Sequence, residues 1–190
     1  MLKLQVVIAS VRPGRMGLPV GNWFHAFAQK HAKFEVTLVD LAAVNLPFLD
    51  EPKHPRLGEY TKPHTRAWSA TVAAADAFVF VQPEYNHSAP PALFNALDFL
   101  FNEWLYKPVG FVSYGGPAMG ARSVTMTKQK VVALKMMPMF EAVGIPFIIQ
   151  HVKDGVFTPT EQNDKAAAVM LDELHRWAEA LRTLRPAPPV

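Results

Sequence analysis

The sequence predicts a three-layer α/β domain: a mostly parallel, doubly wound five-stranded sheet with helices on both faces. Three observations predict it. Short apolar runs and helical periodicities alternate five times along the chain. The runs are continuously apolar rather than alternating, the pattern of strands covered on both faces. The 190 residues, 50% hydrophobic and 18% charged, hold enough apolar material for one core, since domains usually run roughly 100–200 residues.

Residues 4–9, centred on Val6, Val7 and Ile8, read as the first buried strand, closed by a Ser/Pro/Gly cluster. Val20, Trp23, Phe24 and Phe27 recur at helical spacing, so a helix covers 17–31. Residues 34–40 form the second strand. Residues 41–61 contain Pro47, Pro52 and Pro55 and read as an irregular connection. Thr61 is placed to cap a helix over 63–75, with Pro63 in a first turn where its missing N–H has no helical partner. Residues 77–81 are the third strand, stopped by Pro83. Pro90 or Pro91 opens a helix through Leu93, Leu97 and Leu100, and 109–112 form the fourth strand, ended by Gly115-Gly116. A helix over about 122–137 is broken by Pro138, and 145–149 are the fifth strand. Thr158-Pro159-Thr160-Glu161 reads as a capping box with proline at the first helical position. The last helix buries Met170, Leu174, Trp177, Leu181 and Leu184. Residues 1–184 are expected to form one domain, followed by a loose Pro-rich tail at 185–190.

Composition removes several classes of chemistry. With no cysteine, disulfides, iron–sulfur clusters, thiolate zinc sites and cysteine nucleophiles are excluded. The seven histidines, at 25, 31, 54, 64, 87, 151 and 175, make neither an H-E-x-x-H nor a close pair, so no metal site is expected. No G-x-S-x-G elbow exists, so Ser10 and Ser88 are not read as hydrolase nucleophiles. Nineteen basic against 16 acidic residues give +3 with no Lys/Arg block. That balance suits small anionic ligands and not a nucleic-acid track. No apolar run approaches the roughly 18 residues of a membrane span. The apolar stretch ending at Arg12 is too short for a signal peptide, so the expectation is a cytoplasmic protein off the membrane.

In sheets of this kind ligands bind beyond the carboxyl ends of the strands, where strand order reverses. The loop after strand one, Ser10-Val11-Arg12-Pro13-Gly14-Arg15-Met16-Gly17, leads into a helix N-terminus. Free N–H groups and a partial positive charge make such an end an anion site. Ser10 adds a donor, Arg12 and Arg15 add guanidinium forks, and the glycines let the backbone come close. Neither a Walker string nor G-x-G-x-x-G occurs, because Gly14, Gly17 and Gly21 are spaced three and four apart. Asp40, at the end of strand two, could hold an adenosine ribose, or be a polar strand end. The loop after strand three, Pro83-Glu84-Tyr85-Asn86-His87-Ser88-Ala89-Pro90, offers an aromatic ring, amides, an imidazole and the N–H groups of Glu84 to Ser88. It can wrap a flat heteroaromatic ring, or be a proline-framed turn with a structural tyrosine.

Three strings at these loops resemble one family. PEYNHSAPPALFNALDFL is similar to the PEYN segment of the NADPH-dependent FMN reductases, whose members have the flavodoxin-like fold. IASVRPGRMG resembles their phosphate loop, and KPVGFVSYGG their fourth-strand segment. The likeness covers about residues 3–150, with the motifs in matching order. Ala9 stands where the family usually has glycine, and Pro117-Ala118-Met119-Gly120 is less glycine-rich than its counterpart. The resemblance implies FMN and a strand order of 2-1-3-4-5. Ser10, Arg12, Arg15, Met16 and Gly17 would hold the phosphate. Pro83, Glu84, Tyr85, Asn86 and His87 would line the isoalloxazine, with Ser113, Tyr114, Gly115 and Gly116 closing its other side. A phosphate monoester near −2 needs the compact cradle that the first loop supplies.

The implied activity is transfer of hydride from NAD(P)H through FMN to a small acceptor: a quinone, an azo compound, free flavin or an oxidised metal. The flavin carries the chemistry, and Tyr85 and His87 are the residues able to orient or protonate an acceptor. Two alternatives remain open, an FMN electron carrier and a Rossmann-type NAD(P) dehydrogenase using Asp40. Phe99, Phe101, Trp104 and Tyr106 lie in one short segment. They fit either core packing or a subunit interface, and with the latter a homodimer or homotetramer is expected.

Overall fold

A computed structural model describes residues 1–185. Five parallel strands lie in the order β2-β1-β3-β4-β5: β1 (Leu2–Ile8), β2 (Phe34–Asp40), β3 (Ala77–Pro83), β4 (Pro108–Tyr114) and β5 (Met137–Ile145). The flavodoxin-like order is therefore the one expected. Strand order reverses between β1 and β3, which aims the loops after both at one crevice. Every residue of β3 and β4 is buried. Successive residues sort to two cores, as the period of two requires. Val6, Val79 and Val112 pack with α1 (Gly17–His31) and α6 (Glu161–Leu181). Val7, Phe78, Phe80 and Phe111 pack with α3 (Pro63–Ala73), α4 (Pro91–Asp98) and α5 (Ala121–Ala133).

The region read as irregular contains a single-turn helix, α2 (Leu41–Val44), capped by the Asp40 side chain through Ala42 N–H at 3.0 Å. It also contains a 3₁₀ turn at Pro55–Leu57. Thr61 does not cap α3; Lys62 holds that position without a side-chain bond. Glu51 does the work from ten residues upstream, its carboxylate accepting from the N–H groups of Thr61 and Lys62 and from Thr61 Oγ1. Burial would raise this carboxyl, but those donors win and hold it at about 2.

The fifth strand corrects the sequence reading most. α5 ends at Ala133, the chain reverses through Lys135 at φ +56°, and β5 enters the sheet at Met137. Pro138 breaks no helix. It sits in an edge strand, where its missing N–H is tolerated, opposite Val109 and next to a register shift. Residues 145–149 cannot continue the strand, because Phe147 is left-handed and Ile148–Gln150 form a 3₁₀ turn. β6 (Val152–Lys153) and β7 (Val156–Phe157) form a small hairpin before α6.

The α6 capping box exists but pairs Thr160 with Asn163, two residues later than expected, leaving Pro159 outside the helix. Its buried stripe is Asn163, Ala167, Met170, Leu171, Leu174 and Ala178. Trp177 is exposed at the edge of the stripe and Leu181 is half-buried, while Leu184 is exposed because α6 ends at Leu181 and residue 184 lies in a 3₁₀ turn. The aromatic segment resolves largely into core. Phe99 and Trp104 are buried, and the indoles of Trp68 and Trp104 donate to Ala96 O and Leu97 O. Phe101 lies half-buried under the Arg56 guanidinium. Arg185, assigned to the tail, donates to Asp76 Oδ1 and to the Asp76 carbonyl. The rest of that tail, 186–190, lies outside the described residues. No helix among the described residues is long and apolar enough to cross a membrane.

Candidate functional site

The loop after β1 is pinned to β3 by Ala9 N–H on Val81 O at 2.9 Å. It turns at Gly14, whose φ of +69° favours glycine, and enters α1 at Gly17. Met16 caps α1 with no side-chain bond, and no acidic residue stands in the first turn. The helix end therefore keeps its N–H groups and partial positive charge for a ligand. Two buried hydroxyls, Ser10 Oγ and Tyr114 Oη, converge there beside each other, and neither completes a hydrogen bond of ordinary geometry to any of the described residues. A Cβ on Gly17 would stand 2.2 Å from Ser10 Oγ and 2.6 Å from Tyr114 Oη. Leaving one such hydroxyl unpaired costs roughly 1–3 kcal/mol. Burial pushes the Tyr114 phenol up, so it remains a protonated donor at neutral pH.

The two arginines of this loop separate. Arg15 binds both carboxylate oxygens of Asp40 at 2.5 Å, with a further bond to Ser10 O at 2.6 Å. Arg15 holds the Asp40 carboxyl below its usual range, against the opposing pull of burial. Asp40 is thus a clasp for Arg15 and a cap for α2. Arg12 remains exposed, 6.0 Å above the Tyr85 ring.

The loop after β3 closes on itself. Tyr85 N–H donates to Ser88 O at 3.0 Å and Ser88 N–H to Tyr85 O at 2.9 Å, with Asn86 and His87 both left-handed at φ +50° and +65°. This is the geometry of a two-residue type I′ turn. Glu84 N–H donates to Tyr114 O. Of the N–H groups expected to face a ligand, only those of Asn86 and His87 meet no protein acceptor among the described residues. The Glu84 carboxylate is also occupied, by Arg122 Nη1 at 2.5 Å and Arg122 N–H at 3.2 Å. Burial would raise it, but Arg122 holds it below its ordinary range.

A cavity of about 660 Å³ is lined by Arg12, Glu84, Tyr85, Asn86, Ser88, Ala89 and Pro91. Pro83 is the buried last residue of β3 behind it, and His87 is exposed and does not line it. Beyond β4, Gly115 and Gly116 present backbone; a Cβ on Gly116 would meet open space. Ser113 is turned inward, donating to Met119 O at 2.7 Å and fixing the 115–120 loop. Tyr114 stands at the Ser10 end and not with Ser113. Strand periodicity could have placed it, since Tyr114 shares parity with Val112, which faces α1. Ser88, Ala89 and Pro91 lie inside the PEYN-like string without side-chain roles of their own, and nothing in the sequence singled out the Arg122 clasp.

Comparison with known proteins identifies the family. A profile of the NADPH-dependent FMN reductase family matches residues 2–150. An NAD(P)H-dependent FMN reductase of Schizosaccharomyces pombe is 39% identical over 158 residues, 80% of this chain and 78% of the relative. An NAD(P)H:quinone oxidoreductase of Solanum tuberosum is 33% identical over 144 residues, 72% of each. The solved structure of FerB, a flavoenzyme NAD(P)H:(acceptor) oxidoreductase from Paracoccus denitrificans, shares the fold with a TM-score of 0.75 at 20% identity, covering 95% of this chain and 98% of that one. The match spans all three ligand loops, and the chain belongs to the NADPH-dependent FMN reductase family of oxidoreductases.

Proposed function

We propose that residues 1–184 act as one FMN-binding domain that oxidises NAD(P)H and reduces a small quinone-type acceptor. The observation that carries this reading is the pair of hydroxyls, Ser10 Oγ and Tyr114 Oη, buried at an uncapped helix N-terminus with no well-formed hydrogen bond among the described residues. A phosphate monoester supplies acceptors to both and carries the charge that the helix end favours. Ser10, Tyr114, Gly17 and the α1 N–H groups would hold it, with Arg12, exposed and without an ion-pair partner among the described residues, as a cation beside it. Arg15 and Met16 shape the loop. Tyr85, Asn86, Gly115 and Gly116 would border the flat ring, and Pro83, Glu84 and Ser113 fix the loops that carry them.

Bound there, FMN would supply the redox chemistry by taking a hydride from NAD(P)H and passing two electrons to the acceptor. The net reaction consumes a proton from water, turning a quinone into a hydroquinone and leaving NAD(P)⁺. The chain's own part is orientation. Tyr85 and Asn86 line one open cavity, and the Asn86 and His87 N–H groups at the tip of that turn meet no protein acceptor among the described residues. A single opening serves both substrates in turn, so steady-state double-reciprocal plots should be parallel. The relatives' names support quinones as acceptors; one is a 2-hydroxy-1,4-benzoquinone reductase of Burkholderia, 30% identical over 115 residues.

Purified protein should be yellow, bleach with NADPH or NADH under anaerobic conditions, and recover its colour on adding quinone. Flavin that neither nucleotide bleaches would favour the electron-carrier reading, and protein that binds NADPH but no FMN would favour a dehydrogenase. The expected homodimer or homotetramer retains the support of half-buried Phe101 and Tyr106. A monomer in sedimentation at micromolar concentration would overturn it.

A further inference from the structure

The carboxyl ends of β4 and β5 carry bulky apolar side chains outside either core. Met119 is 42% exposed and Phe147 48%. Both backbones are left-handed, at φ +57° and +45°. For residues of this size that region is unusual, and such strain persists only where surrounding structure over-determines it, often at ligand clamps. Here one atom fixes both. Gly116 O accepts from Met119 N–H and from Phe147 N–H, each at 3.2 Å. Gly115 O accepts from Ile148 N–H at 3.1 Å, and Ser113 Oγ holds Met119 O. The Met119 side chain lies over Gly144 at the end of β5, where a Cβ would stand 3.2 Å from Met119 Cβ. Two strained, half-exposed apolar residues are therefore tied to the two glycines that border the proposed ring site.

We propose that Phe147 and Met119 form an apolar lip that selects uncharged, planar quinone-type acceptors over charged ones. The proposal rests on the functional reading above. The cavity lies beside Gly115, whose Cβ position stands 3.7 Å from Glu84 Cβ, and counts the charged and polar side chains of Arg12, Glu84, Asn86 and Ser88 in its lining; the lip contains no charge and no side-chain donor. A neutral ring laid against it removes apolar surface from water. A charged acceptor would lose hydration there with no partner in exchange. Glycine at either position would relieve the backbone, so retaining Phe and Met has a stability cost that a purely structural lip would not require.

The test is Phe147→Gly in the FMN-loaded enzyme, with Met119→Gly as a second variant. KM for a neutral naphthoquinone should rise about fivefold, the scale of part of a phenyl ring no longer buried. KM for ferricyanide and the dissociation constant of FMN should stay within about twofold on the same scale. Binding of a neutral, non-reducible naphthalene analogue to the oxidised enzyme should weaken in step with the quinone KM. Melting temperature should hold or rise. Equal losses for both acceptors, or a lower melting temperature with unchanged quinone KM and analogue binding, would overturn the lip. Parent protein that binds no FMN would instead overturn the functional reading, and the lip with it.

Discussion

The loop after β1 leaves its hydroxyls unpaired and its helix end uncapped. The loop after β3 pairs most of its polar groups with itself and its neighbours. Each is steadied by an arginine–carboxylate clasp, but the clasps differ. Arg15 and Asp40 are 15% and 23% exposed, whereas Arg122 is 50% exposed over Glu84 at 10%. The proposed function makes the first loop a receptor for a small anion, with its backbone held by the Arg15–Asp40 clasp. The second is a self-sufficient hairpin that offers a ring face and two N–H groups. Affinity is expected to come mainly from the first, and tolerance of varied partners from the second.

The sharpest way to break this contrast is at Gly17. Gly17→Ala puts a methyl at 2.2 Å from Ser10 Oγ and 2.6 Å from Tyr114 Oη. Overpacking of this kind costs about 1–3 kcal/mol. FMN affinity should fall by about tenfold or more, since one displaced charge-assisted bond is worth that much. Riboflavin, without the phosphate, should lose far less. Isothermal titration with both ligands checks this, and equal losses would mean that the cradle does not read the phosphate.

How legible this was in the sequence depended on the range of the contacts. Helix α1 and strand β2 match the ranges read from the sequence, because local apolar spacing decides them. β5 was misplaced because its amphipathic edge pattern, with Pro138 inside it, looks like a helix end followed by a turn. Glu51 as the α3 cap was invisible for a similar reason: its partners lie ten and eleven residues away across a proline-rich segment. Within the candidate site, the motifs named loops that the fold gathers at one end of the sheet, but not the job of each side chain. Arg12 and Arg15 look equivalent in a string, and only the tertiary position of Asp40 separates them.

That separation gives the next test. Arg12→Ala should weaken FMN by about 1.5–3 kcal/mol and leave thermal stability nearly unchanged, because Arg12 is exposed and makes no ion pair among the described residues, lying 6.0 Å from the Tyr85 ring. Arg15→Ala should do the reverse, lowering stability by about 1–2 kcal/mol by stranding a partly buried carboxylate. Paired melting curves and FMN titrations resolve the two. Equal effects on binding would put Arg15 back among the phosphate ligands.

Acid should reveal the clasps separately. Asp40 and Glu84 both have folded-state values held below their ordinary ones. Their contributions are therefore fully present above the unfolded values and lost as pH falls through the depressed ones. Asp40→Asn should remove more of the acid-dependent loss of melting temperature than Glu84→Gln. Its scale is about 1 kcal/mol against about 0.5 kcal/mol, because Arg122 is half exposed and screened. Raising salt should shrink the Glu84 contribution first. Equal acid profiles for the two variants would show that the clasps are equivalent and that the first loop is no more rigidly built.

The smallest effect belongs to His87. It is exposed, left-handed at φ +65° and outside the cavity lining. A histidine tolerates that backbone at a modest cost, and glycine tolerates it freely. His87→Gly trades this relief against a more flexible unfolded chain, so stability should move by between zero and about 1 kcal/mol upward. If the second loop serves only through its ring face and its backbone N–H groups, both survive the substitution. The quinone kcat and its pH profile should then stay within about twofold of the parent, a change well under the 1.4 kcal/mol that tenfold represents. Loss of a limb of that profile, with the turn intact by melting temperature, would show the imidazole moving a proton to the acceptor. The hairpin would then be a chemical participant, and the contrast with the first loop would have to be redrawn.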